Sequence, residues 1–106
     1  MTATTHNVSA TLWRWAGGAN GGDWFFVTLG NPTAEALSAT ALMHRLETGR
    51  RAGWGSVKVE LCVGTTIWRT SAFPSKEQGW IVPIKAAVRR AECLEEGLPF
   101  PLRITF

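Results

Sequence analysis

Residues 57–63, VKVELCV, place Val57, Val59, Leu61 and Val63 on one side and Lys58, Glu60 and Cys62 on the other. A period of two is that of a strand with one buried face. The stretch NVSATLWRW repeats the pattern, with Val8, Ala10 and Leu12 set against Ser9, Thr11 and Trp13. It breaks off at AGGANGG, residues 16–22, a glycine-rich turn, and DWFFVTL resumes as an aromatic, β-branched strand, so these two segments are expected to form a hairpin with a long loop. Further on, TTIWRTSAF and WIVPI read as strands on either side of the turn PSKEQG, and PLRITF reads as a closing strand.

The spacing changes over GNPTAEALSATALMHRLETG, where Leu37, Ala41, Met43 or His44, and Leu46 recur near the helical period. Asn31 is placed to cap this helix, Pro32 suits its first position and Gly49 its end. The basic segment RRAGWGS is expected to be a turn. A second helix is expected over KAAVRRAECLEEG, ending at Gly97.

A shift of 55 residues lays Leu12, Trp13 and Arg14 on Ile67, Trp68 and Arg69, and Phe25, Phe26, Val27 and Leu29 on Trp80, Ile81, Val82 and Ile84. The element order then repeats as strand, turn, strand, helix, strand, which predicts an internal duplication with repeats of about 8–63 and 63–106. Neither half alone covers both faces of a three-stranded sheet. Two halves closing on each other remove exposed edges, so the expected fold is mainly β: a small closed antiparallel barrel with pseudo-twofold symmetry and two short helices, all in a single domain 1–106.

The chain has 45% hydrophobic and 18% charged residues, with six Trp and no Tyr, the make-up of a chain that folds around a core. Its formal charge of +3 permits an acidic partner but is far from the dense basic patch of a phosphate-backbone reader. The opening MTATTHNVSA has neither the basic nor the apolar region of a leader, and no apolar run reaches the roughly 20 residues that span a bilayer, so a cytoplasmic protein without membrane contact is expected. Cys62 and Cys93 stand in different elements with no CxxC and read as reduced thiols.

Residues 53–97 resemble the bacterial family DUF1905, through Gly53, Gly55, Val57, Val59, Thr70, Ser71, Pro74, Pro83, Lys85, Val88 and Arg89; ATLW and WFFVTL also fit the opening hairpin of that family. Leu98 stands where the family often has Asp, and Pro99 and Pro101 interrupt the start of the last strand. The resemblance implies a double-split β-barrel, the fold class that also holds regulators of the AbrB and MazE type. It implies no function, because function belongs to a site and not to a fold. One conflict is visible in advance. If Val8, Ala10 and Leu12 point inward, Trp13 and Trp15 point outward, whereas the family pattern that residues 53–97 resemble implies that Trp68 points inward; either the register slips at a bulge or a Trp is left on the surface.

Catalytic sets are not legible. Ser71, His44 and Glu60 lack a spacing that joins them as nucleophile, base and orienting acid, and a metal centre would have to draw two His and two Cys from four elements, so no cofactor is expected. Glycines 17–22 lack the Lys-Ser/Thr ending and the following helix of a phosphate loop. Two basic segments remain. RRAGWGSVK combines Arg50, Arg51 and Lys58 with Trp54, a ring able to stack on a base, which keeps a nucleic-acid regulator as the alternative reading. Lys85 and Arg89, four apart at the start of the second helix, are like charges that repel unless an anion lies near. With Ser71 and Arg69 from the neighbouring strand and Trp54, they form the candidate ligand site of a non-catalytic binding module, whose partner is an unidentified protein or a small anionic ligand.

Overall fold

The computed structural model describes residues 3–16, 23–49 and 55–106. Its elements are β1 (Thr5–Ala10), β2 (Leu12–Ala16), β3 (Asp23–Leu29), α1 (Thr33–Thr48), β4 (Val57–Val63), β5 (Thr66–Ser75), β6 (Gly79–Pro83), α2 (Ala86–Ala91) and β7 (Phe100–Thr105). The strands make one antiparallel, curled sheet in the order β1-β7-β4-β5-β6-β3-β2, so the fold is mainly β and barrel-like. β1 and β2 form its two ends, yet Thr11 alone separates them in the chain.

Alternation sets the core as expected. Val57, Val59, Leu61 and Val63 are all buried, and Leu102 and Ile104 of β7, Val27 and Leu29 of β3, and Val82 of β6 meet them. A fully buried side chain of this size contributes about 1.5–3 kcal/mol. α1 ends where Gly49 adopts φ 77° and its N–H donates to Arg45 O at 2.8 Å, the expected glycine cap. Its start differs from expectation: Pro32 occupies the cap position, and no side chain, Asn31 included, caps the helix. The anticipated apolar stripe is also mostly unused, since Thr33 and Leu37 are the buried positions and Leu42, Met43 and Leu46 are exposed.

α2 covers six residues and does not run to Gly97. Leu94 N–H donates to Arg89 O at 2.9 Å and Cys93 N–H to Arg90 O at 3.4 Å, while Cys93 takes φ 53°. This is a Schellman ending with cysteine in the left-handed position that glycine usually fills.

The pairings correct the single shift of 55. Val27 pairs with Val82 and Leu61 with Ile104. Trp68 stands opposite Leu61 as His6 stands opposite Ile104, and Phe73 stands opposite Ile81 as Trp13 stands opposite Phe26. By ladder position Trp68 thus corresponds to His6 and Trp13 to Phe73, rather than Trp13 to Trp68. Ala72 and Phe73 are consecutive, whereas Ala10 and Trp13, at the corresponding ladder positions, are separated by Thr11 and Leu12.

β5 serves two ladders in succession: Val57–Val63 pair with Thr66–Ala72, and then Phe73–Ser75 pair with Gly79–Ile81 of β6. Beyond Ile81, β6 pairs with β3 alone, and the sheet splits. Pro83 supplies the reason. Ile84 N–H donates to Phe25 O at 2.9 Å on β3, so the neighbouring nitrogen, that of Pro83, faces β5 and has no hydrogen to give.

Candidate functional site: a cationic cleft in the split

The split opens as a concavity of about 390 Å³. Trp68, Arg69 and Thr70 of β5 line one wall and Asp23, Trp24 and Phe25 of β3 the other; Pro83, Ile84, Lys85, Ala86 and Arg89 complete it. Trp68 reaches inward because it shares the face of its opposite residue, the buried Leu61. Ile84 and Val88 are buried and anchor the turn into α2, which leaves Lys85 exposed and Arg89 half-buried at the rim.

Arg89 is held from two sides. Its Nε donates to Ile84 O at 3.2 Å, and its guanidinium carbon lies 4.0 Å from the centroid of the Phe25 ring, a cation–π contact. It forms no ion pair with Glu92, whose Oε2 instead accepts from Thr66 Oγ1 at 2.6 Å. Lys85 has no ion-pair partner among the described residues. Arg69 has a loose one, Glu60 Oε2 at 3.9 Å from a side chain that is 88% exposed. The carboxylate of Asp23 is matched by Arg14 Nη1 at 3.3 Å. Lys85 and Arg89 thus line the cleft without an ion pair among the described residues, Arg69 borders it while turned to the face of Glu60, and the acid on its wall, Asp23, is already paired.

Of the residues expected to form the site, Lys85, Arg89 and Arg69 come together here. Ser71 does not line the cleft: Ser71 and Arg69 share the face of Lys58 and Glu60 on the β4–β5 ladder, where both line a different concavity, and Arg69 alone of the two also borders the cleft. Trp54, with Arg50 and Arg51, lies outside the described residues. The start of α2 adds little to an anion site, because six residues give little aligned dipole and the N–H groups of Val88 and Arg89 are both bonded to Lys85 O. Trp24, Phe25 and Trp68 went unrecognised as site residues, since in sequence they are ordinary strand formers. Pro83, which ends the β5–β6 ladder, was the available signal.

A second concavity lies under α1, lined by His6, Thr40, His44, Lys58 and Phe106 among others. His6 stacks on Phe106 at 5.2 Å between ring centroids, and its Nε2 is buried without a hydrogen-bond partner among the described residues. Ser71 and Glu60 lie on the sheet surface, whereas His44 projects from α1 into other concavities. Among the described residues no three His, Cys, Asp or Glu side chains are placed to share a metal ion, and no helix is long and apolar enough to cross a membrane.

No curated protein and no solved structure matches the chain. A family match covers residues 9–104, taking in every strand that builds the cleft as well as α2. The chain belongs to the family described as Domain of unknown function (DUF1905).

Proposed function

We propose that this chain is a non-catalytic binding module that holds an anionic ligand in the split between β5 and β6. The observation that carries the proposal is the convergence of Arg69, Lys85 and Arg89 on one concavity where, among the described residues, the nearby carboxylates Asp23 and Glu60 are already matched by Arg14 and Arg69. Lys85 and Arg89, with no carboxylate of their own among the described residues, are like charges that a bound anion would neutralise. Trp24, Phe25 and Trp68 supply apolar walls beside the cations. A cytoplasmic location and a closed, double-split barrel of duplicated halves belong to the same reading. The pairs Val27–Val82 and Leu61–Ile104, and the single residue between β1 and β2, support it.

Thermal unfolding in pyrophosphate, against chloride at matched ionic strength, tests the proposal. At ten times Kd, linkage gives about 1.4 kcal/mol, a rise in Tm on the order of 5 °C. Lys85→Gln with Arg69→Gln should abolish the difference. An equal rise in the variant, or none in the wild type, contradicts an anion site here.

A further inference from the structure

We infer that the anion is the backbone of a single-stranded nucleic acid, with bases stacking on an aromatic sheet face that runs into the cleft; this rests on the cleft's being an anion site. In the β2–β3 hairpin Trp15 is directly opposite Trp24 and Trp13 opposite Phe26, while the buried Leu12 and Val27 point the other way. The four rings therefore share the outer face. They hold one another in place: Trp24 and Phe26 stack at 6.4 Å with planes 16° apart, and Trp13 leans on Phe26 at 5.2 Å. Trp15 and Trp24 nevertheless remain 47% and 54% exposed. Two neighbouring indoles left open on a sheet built around a sufficient core mark a contact surface.

Trp24 belongs to both features, since it stands in the aromatic row and also lines the cleft that Arg69, Lys85 and Arg89 surround. An occupant that satisfies both needs flat apolar faces and negative charges a few ångströms apart, repeated along an extended chain. A single-stranded nucleic acid has this make-up, with bases for Trp24 and Trp15 and phosphates for the cations. Duplex does not, because its base faces are already stacked on each other and cannot reach the rings.

The test is fluorescence polarisation with a labelled oligothymidylate of about ten nucleotides, alongside duplex DNA and heparin as an acidic polysaccharide. Neutralising three phosphates gives a slope of log K against log salt of about −2, hence roughly 15-fold weaker binding at 200 mM than at 50 mM. Trp24→Ala should weaken binding about ten-fold with that slope unchanged, since stacking is lost and the cations are kept. Lys85→Gln should flatten the slope by about 0.7. Both residues are exposed, and an unchanged far-ultraviolet spectrum and melting temperature without ligand confirm that each variant folds. If heparin or duplex binds as tightly as the single strand, or Trp24→Ala has no effect, base stacking is wrong. If the oligonucleotide fails while pyrophosphate still raises Tm, this inference alone falls; if both fail, the anion site falls with it.

Discussion

At the scale of single residues, Cys93 is the clearest departure from what its sequence neighbourhood suggests. A non-glycine residue at φ 53° ends α2, and nothing in AECLEEG announces it, because the glycine that normally marks such an ending comes four residues later at Gly97. The left-handed conformation costs a side chain with a Cβ about 1 kcal/mol. Part of any gain from glycine is returned through the freer unfolded chain. Cys93→Gly should therefore stabilise by about 0.5 kcal/mol, measured as a higher urea midpoint at unchanged slope; a lower midpoint would mean that the thiol contributes packing the geometry does not reveal. The site residues divide on similar lines. Lys85 and Arg89 stand out in the sequence because their spacing sets like charges one turn apart, and the fold places Arg69 beside the same concavity. Trp24 and Trp68 do not stand out, since their role depends on which strand edges part company.

At the scale of elements, period-two patterns were read correctly and helical faces were not. β4 buries every position its alternation nominates. α1 forms where expected, but of its apolar side chains Leu37 alone is buried, with Ala34 and Ala41 packed partly buried against the core, while Trp80 Nε1 donates to Ser38 Oγ at 2.9 Å from the sheet below. Periodicity states which residues share a face; how far that face lies over the sheet is decided by tertiary packing. The difference is measurable. Leu37→Ala should cost about 2–5 kcal/mol, whereas Leu46→Gln, at a side chain 69% exposed, should stay within about 0.5 kcal/mol. Comparable losses in chemical denaturation would show that the end of α1 is packed after all.

At the scale of the whole molecule, the order of strands was foreseeable but the offset between halves was not. A constant shift brings β3 onto β6, whose Val27 and Val82 pair, but not Trp13 onto the ladder position of Trp68, because Thr11 and Leu12 stand between the paired positions Ala10 and Trp13 where β5 has none between Ala72 and Phe73. The two helices also border different concavities. The concavity under the 16-residue α1 is walled by His6 and Lys58, whereas the one beside the six-residue α2 gathers Arg69, Lys85 and Arg89. Mapping amide and indole chemical shifts during a pyrophosphate titration decides between them most directly. The account predicts saturable shifts confined to Trp24, Trp68, Arg69, Lys85, Ala86 and Arg89, with Leu61 and Ile104 unmoved. Shifts centred on His6, His44 and Lys58, or scattered over every basic residue, would contradict it.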